Sequence, residues 1–591
     1  MNINDKLTSL RNLMDFNDLK GIVINCTDPH LSEYVTPHWR TIEWISGFTG
    51  SYGKVVITKS RAVLWTDSRY FIQAELQLKG TEYQIIKDRL PESITLEQWL
   101  VSELIPGDKL AIDGKTFTAT ESNVLKQKLG ANGISLIENQ DLLSIIWENR
   151  PRQLSTPVVD YPVRFAGQTR VEKLSAIRTK LRDFSVNSTL ICQLDDLAWC
   201  FNLRGNEGSL NPVFTGFGYI DEENAYLFVG KERLSPTLIG NLKKDKIEVM
   251  DYGSLLKQIE KNSPKSVYLD PNRTNSIIYS YFRENCWVVE GVAIPTLLKS
   301  IKNKVEISGM KASHRRDGAA MVNFLYWFYT RSQSEIITEL SLAEKLRQFR
   351  SEQGFFKGES FNSIVGFGSN GAIVHYSATP ETDRQIFSNG ILLIDSGAHY
   401  LDGTTDITRT ISTGKVESIT KNDYTLVLKG MIKLANAKFP KGTKGHSLDI
   451  LARNDLWNNY LNYGHGTGHG VGHYLSVHEG PMSIRQEIND QPIRNGQIIS
   501  DEPGLYREGK YGIRIENILL CRQDKESSFG QFLSFETLTL CPLDRRMINT
   551  KLLNKDEIRW VNNYHKKISN SLKPLLKSDV LKWLSNQCAP I

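Results

Sequence analysis

The segment LLIDSGAHYLDGTTDITRT, residues 392–410, sets two carboxylates within strand-like sequence. The apolar run at residues 391–394 ends on Asp395, and a second strand-like run, after a turn-rich stretch, carries Asp406. Burying a charge is costly in free energy unless a partner compensates it. A fold that buries both runs must therefore bring cationic groups or metal ions to these acids.

Further polar residues lie in glycine-rich or apolar settings downstream. Four of the eleven histidines fall in YGHGTGHGVGHYLSVHEGP, where glycine lets the backbone approach a ligand closely. Glu502, in QIISDEPGLY, follows a short strand and precedes a Pro-Gly turn. In YGIRIENILL, the alternation of a strand places Arg514 and Glu516 on one face. The region thus offers five candidate ligands: Asp395, Asp406, His469, Glu502 and Glu516.

These five residues form a ligand set of four carboxylates and one imidazole. Two divalent cations would neutralise four negative charges and so remove the cost of burial. A bridged metal pair also lowers the pKa of a shared water, which supplies a nucleophilic hydroxide near neutral pH. Oxygen-rich sites with one histidine suit Mn²⁺, Co²⁺ or Zn²⁺, and the sequence does not choose among them. Each acid alone is more often a surface or salt-bridged carboxylate, but the five together favour a metal site.

Composition restricts the other classes of function. The chain has 591 residues, enough for about three or four domains. Its net charge of +6 comes without a long basic block, so nucleic-acid binding is not indicated. The seven cysteines form no CxxC pair, and the chain has neither a signal-peptide pattern nor an apolar run long enough to span a membrane. A cytoplasmic enzyme is the expected class.

The first half of the chain repeats one plan. GIVIN, EWISGFTGSYG, AVLWTDSRY and KLAIDGK are matched later by TLICQ, AWCFNLRGNEG, AYLFVGKER and SVYLDPN, with helical patterns between them. We predict two related α/β domains, residues 1–155 and 156–300; unrelated α/β patterns are the alternative. A third region, residues 301–591, should contain helices over about 305–329, 424–437 and 448–463, the last with Ser447 as N-cap. A helical extension is expected over about 526–591.

The motifs IDSGAHYLDGTTDITRT, GHGTGHGVGHYLSVHEGP, SDEPGLY and GIRIEN, in that order, resemble the M24 metallopeptidases of pita-bread fold. With WISGFTGSYG and LWTDSRYF near the N-terminus, the chain is similar to the three-domain Xaa-Pro aminopeptidase (aminopeptidase P) family over roughly residues 20–545. The resemblance implies an α/β (α+β) fold with two creatinase-like N-terminal domains and a pita-bread catalytic domain from about residue 301. It also implies a homodimer.

The resemblance further implies a role for each candidate residue. Asp395 would chelate one metal ion, Asp406 and Glu516 would bridge two ions, and His469 and Glu502 would hold the other. Glu502 would also pass a proton, and Arg514 would brace the site beside Glu516. Mn²⁺ is the expected ion, with Zn²⁺ and Co²⁺ as alternatives. Histidines expected near the substrate are His375, His465 and His478, whereas His399 and His473 are not expected to be ligands.

The implied activity is hydrolysis of the N-terminal Xaa-Pro bond of peptides, by a hydroxide that bridges the metal ions. The nearest alternative is prolidase, which shares the fold and metals but is restricted to dipeptides. A methionine aminopeptidase is disfavoured because such enzymes usually lack the two large N-terminal domains. A pita-bread domain kept only as a binding module is the alternative from a different class. Such modules lose metal ligands, whereas all five candidates are present here.

Overall fold

The computed structural model describes residues 1–208, 210–331 and 336–591, and it divides into two compact units. One unit comprises Met1–Pro162 and Gln168–Thr296, and the other comprises Val163–Gly167 and Leu297–Ile591. Both units mix helices and strands, as the sequence predicts. No helix in the described ranges is long and apolar enough to cross a membrane.

Two sheets of the first unit share one topology, each with six strands in the described residues. The central strand of each pairs antiparallel with one neighbour and parallel with the other. This common order confirms the repeated plan predicted from the sequence. In spatial order the strands of the first sheet are Tyr83–Lys87, Ala62–Thr66, Lys54–Thr58, Gly21–Asn25, Lys109–Ile112 and Ser135–Ile137, and those of the second are Ile247–Met250, Ala225–Phe228, Phe217–Asp221, Ser188–Ile191, Ser266–Leu269 and Trp287–Glu290.

Helices alternate with these strands along the chain. Several begin at a residue whose side chain accepts a hydrogen bond from a backbone N–H of the first turn, as Asn2, Thr95, Thr118 and Thr169 do. Such caps fix where each helix begins. Among the described residues, the helices of six or more residues that lie wholly within the first unit are Ile3–Phe16, Thr41–Ser46, Phe71–Gln77, Leu96–Glu103, Ala119–Gly130, Arg170–Asp183, Leu194–Cys200, Pro236–Lys244, Leu255–Asn262 and Ser276–Asn285. The helix Ile294–Lys299 crosses from the first unit into the second.

The second unit contains the 27-residue helix Lys304–Thr330, which confirms the predicted helix over about 305–329. Asn303 and Glu306 form a capping box at its start, so its first N–H groups are paired. The other long helices of this unit are Glu339–Ser351, Ser418–Ala435, Gly445–Trp457, Lys555–Leu572 and Ser578–Gln587.

Two sheets of the second unit carry the candidate site. A three-stranded sheet joins Ile364–Phe367, Ile391–Ser396 and Ile407–Ser412 in antiparallel order. A larger sheet of six strands in the described residues, in spatial order, joins Lys438–Pro440, Gly530–Thr537, Asn517–Ser527, Ile498–Asp501, Gly468–Gly470 and Glu479–Ile484. A separate hairpin pairs Gly504–Arg507 with Tyr511–Arg514.

The predicted bounds of two helices were wrong. The helix expected over 448–463 begins at Gly445, with Lys444 rather than Ser447 as N-cap, and ends at Trp457. Tyr460, three residues beyond, has a φ of 57°, and this left-handed conformation cannot continue a right-handed helix. The helix expected over 424–437 spans Ser418–Ala435.

The prediction of a helical extension over about residues 526–591 was wrong at its start. Asn517–Ser527 and Gly530–Thr537 form an antiparallel hairpin within the larger sheet. The alternation of apolar and polar residues in QFLSFET is a strand pattern, and pairing along the hairpin satisfies it. Helical structure follows only later, in Lys555–Leu572 and Ser578–Gln587.

Candidate metal centre

Two of the predicted ligands come from neighbouring strands of the three-stranded sheet. Asp395 lies near the end of Ile391–Ser396 and pairs in register with Thr408. Asp406 directly precedes Ile407–Ser412, the partner strand. Both aspartates are buried, as predicted from the strand-like runs that carry them.

Glu516 reaches the same place from a break between two strands. Its segment was predicted as one continuous strand, but Tyr511–Arg514 and Asn517–Ser527 belong to different sheets. Glu516 lies between them, where the chain passes from the hairpin to the larger sheet. Its backbone N–H donates to the carbonyl of Thr408 at 3.1 Å, which fixes it beside the strand that follows Asp406.

His469 and Glu502 come from adjacent strands of the larger sheet. His469 lies in Gly468–Gly470, and its backbone N–H donates to Ser500 Oγ at 2.9 Å. Glu502 follows the strand that contains Ser500, and its backbone N–H donates to the Thr467 carbonyl at 2.8 Å. The two backbones therefore hold the imidazole and the carboxylate next to each other.

The side chains of these residues form one cluster. One potential ligand atom from each of Asp406, His469 and Glu516 lies within 4.8 Å of the others. His469 Nε2 is 3.2 Å from Glu502 Oε1 and 3.7 Å from Asp406 Oδ2. Asp395 Oδ1 and Glu516 Oε1 are buried and make no hydrogen bond within the described residues. Buried carboxylate oxygens without donors are costly, so the positive charge within the described residues compensates the four carboxylates only in part.

The pKa values of the clustered carboxylates reflect the same incomplete compensation of negative charge. Burial and the charges of neighbouring carboxylates raise the pKa values of Asp406 and Glu516 well above their usual range. Burial also raises the pKa of Asp395, against the opposing charge of Arg514. Burial disfavours the His469 cation, but the hydrogen bond and charge of Glu502 outweigh it and raise the pKa of His469 to about 9. The same contact overcomes burial at Glu502 and lowers its pKa to about 2.

The donor set fits a pair of divalent cations. His469 Nδ1 lies 3.0 Å from the Gly470 carbonyl oxygen, which only accepts, so Nδ1 carries the proton. In the metal-free protein Nε2 donates to Glu502 Oε1. Release of that proton would leave the Nε2 lone pair directed toward the carboxylates, which is the form in which histidine binds metals. One oxygen of Glu516 accepts from Thr408 Oγ1 at 2.8 Å, while its other oxygen remains without a donor. Four carboxylates and one imidazole suit hard or intermediate divalent ions.

Arg514 connects the cluster to a chain of oriented hydrogen bonds. Its Nη2 donates to Asp395 Oδ2 at 2.5 Å and its Nη1 donates to the Tyr506 hydroxyl at 2.6 Å. The Tyr506 hydroxyl also lies 2.8 Å from His465 Nε2. His465 Nδ1 is 2.8 Å from the Gly466 carbonyl oxygen. Burial lowers the pKa of His465 to about 4, so this imidazole is neutral near pH 7.

Two other predicted histidines lie beside these groups. The His478 ring stands edge-on to the His469 ring, with centroids 4.4 Å apart. His375 is partly exposed in an irregular segment, and the carbonyl of the preceding residue, Val374, accepts from Arg514 Nη2 at 3.3 Å. Both positions are compatible with contact to a substrate at the cluster.

His399 and His473, which were not predicted to be ligands, do not belong to this cluster. Both are buried. His399 Nδ1 lies 3.0 Å from Thr404 Oγ1, and its ring contacts that of Tyr474.

Sequence reasoning missed three side chains that orient the site. Thr408 could have been found, because it lies two residues after Asp406 on a strand and therefore on the same face. Ser500 donates to Glu502 Oε1 at 3.0 Å and has the same two-residue spacing. Tyr506 had no such signal, because its partners, His465 and Arg514, lie outside its own strand.

Four segments of the chain match models of known protein families. Residues 308–523 match the model of metallopeptidase family M24, and residues 531–591 match the C-terminal region of that peptidase family. Residues 6–150 and 149–306 each match a creatinase/prolidase N-terminal domain. These matches correspond to two N-terminal α/β domains followed by a metallopeptidase domain.

The chain is similar over its whole length to aminopeptidases P. It is 36% identical to a probable Xaa-Pro aminopeptidase P from Laccaria bicolor, covering 100% of this chain and 94% of the relative. A crystal structure of X-prolyl aminopeptidase from Caenorhabditis elegans, described as a cytosolic enzyme with a di-nuclear active site, has a TM-score of 0.96 at 35% identity and full coverage of both chains. A Xaa-Pro dipeptidase from Bacillus anthracis, 23% identical, has a TM-score of 0.51 over 64% of this chain and 99% of its own, which shows a shared fold alone.

The fold and the buried cluster thus define a metallopeptidase of family M24. Within that family, the chain belongs to the aminopeptidases P.

Proposed function

We propose that this protein removes the N-terminal residue from peptides whose second residue is proline, using two divalent metal ions that we take to be Mn²⁺. The observation that carries the proposal is the cluster of Asp406, His469 and Glu516, with Glu502 and Asp395 beside it. It occurs in a chain similar from end to end to aminopeptidases P.

For the five residues we propose the roles that the resemblance to aminopeptidases P implies. We assign Asp395 to one ion, Asp406 and Glu516 to both ions, and His469 and Glu502 to the other. When bound, such a pair of ions supplies Lewis-acid polarisation of the substrate carbonyl and a water of lowered pKa. Arg514 orients Asp395, and Thr408 orients Glu516, through the hydrogen bonds described above.

The remaining groups handle the substrate and its protons. Glu502 is the proposed proton acceptor, and Ser500 holds one of its oxygens. His478 and His375 are proposed to contact the peptide around the scissile bond. A bond before proline is a tertiary amide without an N–H and with a restricted φ, so a site shaped for it gains selectivity.

We further propose that the chain acts as a homodimer in the cytoplasm, and that its domains divide near residues 155 and 300. The cytosolic description of the Caenorhabditis elegans enzyme supports the location. The two similar sheets, whose strands fall between residues 21 and 137 and between residues 188 and 290, support the boundaries. Gel filtration at micromolar concentration should give twice the chain mass of 67.1 kDa, and a stable monomer would contradict the dimer.

The experiment that tests the activity is mass spectrometry of two peptides incubated with the Mn²⁺-loaded protein. One peptide begins Arg-Pro-Pro and the other is the dipeptide Gly-Pro. Loss of only the N-terminal residue from the longer peptide is expected. Cleavage of Gly-Pro alone would assign the protein as a prolidase, and cleavage of neither peptide by metal-loaded protein would favour a binding module. An Asp406→Ala variant should be inactive, bind less metal and remain folded.

A further inference from the structure

A buried ion pair outside the candidate ligands holds the glycine-rich segment that carries two of the site histidines. Asp449 and Arg453 lie one turn apart on the helix Gly445–Trp457, and both are almost fully buried. Arg453 Nε donates to Asp449 Oδ2 at 2.6 Å. Removing one partner of such a pair would leave an uncompensated charge in the interior, which is strongly destabilising.

The guanidinium of Arg453 reaches beyond the helix to the backbone before the metal centre. Its Nη1 donates to the Tyr463 carbonyl at 2.6 Å, and its Nη2 donates to the His465 carbonyl at 2.8 Å. The guanidinium carbon also lies 3.8 Å from the centroid of the Tyr463 ring. A planar fork with several donors can hold two carbonyl groups at once, which a lysine ammonium does less rigidly.

Asp449 adds a second attachment to the same segment. Its Oδ1 accepts from Thr467 Oγ1 at 2.5 Å. The Thr467 backbone in turn receives the N–H of Glu502 and donates its own N–H to the Ile484 carbonyl, each at 2.8 Å. The ion pair therefore fixes the segment from residue 463 to residue 467, which leads directly into His469 and contacts Glu502.

The sequence of this segment explains why an external anchor is needed. Residues 464–470 read GHGTGHG, and glycine gives the backbone more freedom than any other residue. Glycine is required at Gly468, since a β-carbon there would collide with the Ser500 carbonyl oxygen. The glycines have no side chains with which to hold the segment, so hydrogen bonds to neighbouring residues such as Arg453 and Asp449 help to fix it.

We propose that Arg453, held by Asp449, is a positioning residue that fixes His465 and His469 for turnover without binding metal or substrate. This inference rests on the proposed function, because it deepens the account of the same site. A displacement of about 1 Å at catalytic groups can cost roughly 100-fold in rate. Loss of the fork should therefore lower kcat more than it changes KM or the metal content.

The test compares Arg453→Lys with a matched variant on the same helix. Asp455→Asn removes a carboxylate that pairs with Lys433 at 2.6 Å on the helix Ser418–Ala435, away from the glycine-rich segment. We expect Arg453→Lys to lower kcat by about 10- to 100-fold at unchanged KM and unchanged bound Mn²⁺. Asp455→Asn should keep the kcat of the unmodified protein, even where its melting temperature falls by as much as that of Arg453→Lys.

Hydrogen exchange of the peptide covering residues 463–470 gives a readout that needs no substrate. Faster exchange in Arg453→Lys, but not in Asp455→Asn, is expected. Thr467→Val, which removes only the hydroxyl bond to Asp449, should show a smaller increase in the same peptide. Equal exchange in all variants, a kcat change below twofold, or loss of Mn²⁺ from Arg453→Lys would each overturn the proposal. If the unmodified protein cleaves no Xaa-Pro peptide, the proposed function fails, while the exchange result still decides the positioning role.

Discussion

Replacing Asp406 by asparagine should stabilise the metal-free protein and abolish its stabilisation by metal. Asp406 is buried among Glu516, Asp395 and Glu502, and these surroundings raise its pKa well above the usual value of 3.8. An acid with a raised folded-state pKa contributes stability at low pH that is lost as pH rises above the unfolded-state pKa. One pKa unit corresponds to about 1.4 kcal/mol, so the cost at pH 7 is at most about 4 kcal/mol. Asparagine keeps the shape without that cost.

The metal response should change in the opposite direction. A ligand at 100 times its Kd stabilises the folded state by about 2.7 kcal/mol for each site, and the variant lacks a ligand assigned to both ions. Metal-free Asp406→Asn should therefore melt higher than the metal-free unmodified protein, by about 1 to 2 °C for each kcal/mol. With saturating Mn²⁺ the order should reverse.

Melting curves of chelator-treated and Mn²⁺-reconstituted protein provide the assay. Glu557→Gln is the control, because Glu557 is a buried carboxylate with a cationic partner, Lys429, at 2.9 Å. That variant should lose stability in both states and keep the full increase caused by Mn²⁺. The reasoning would be refuted if Asp406→Asn melted lower than the unmodified protein without metal and still gained as much from Mn²⁺.

Three further outcomes are expected. Gly468→Ala should reduce bound Mn²⁺ and activity together, because its β-carbon would push the strand away from Ser500. Metal titration by calorimetry checks this, and an unchanged stoichiometry would contradict it. Tyr506→Phe should lower kcat/KM by about tenfold, because the Arg514 donor at 2.6 Å loses its acceptor, while steady-state assays with Mn²⁺ in excess exclude a metal defect. Burial, with the charge of Arg545, lowers the pKa of His565 from 6.5 to about 4. This residue therefore contributes up to about 3 kcal/mol of stability above pH 6.5, and that contribution is lost as the pH falls toward 4. Urea unfolding from pH 4 to 8 should show this slope, and His565→Leu should remove it.

Much of the fold could be predicted because its signals are local. The duplicated domains appear as two series of apolar strands in the same order, and each sheet repeats the same pairing. The acids of the centre could be recognised because Asp395 ends an apolar run and Asp406 lies in a strand-like run, and both runs have to be buried. A carboxylate in a buried segment is costly unless a ligand compensates its charge. Such a residue can be recognised in the sequence itself.

Long-range partnerships could not be predicted in the same way. The period-2 pattern in YGIRIENILL predicted one strand, but pairing of Tyr511–Arg514 with Gly504–Arg507 and of Asn517–Ser527 with Ile498–Asp501 divides it. The sequence contains the alternation and not the partners. For the same reason Ser447 resembles a cap, whereas the helix begins at Gly445.

The directions of the hydrogen bonds at His465 also refine what that residue can do. The Gly466 carbonyl only accepts, so His465 Nδ1 carries the proton and Nε2 accepts from Tyr506. The Tyr506 hydroxyl can then accept from Arg514, whose guanidinium also binds Asp395. The His465 Nδ1 and Tyr506 hydroxyl protons in this series of hydrogen bonds each already have an acceptor. The low pKa of His465 also keeps its ring neutral. We therefore expect His465 to act by orienting Tyr506 and Arg514, and expect proton transfer to depend on Glu502 instead.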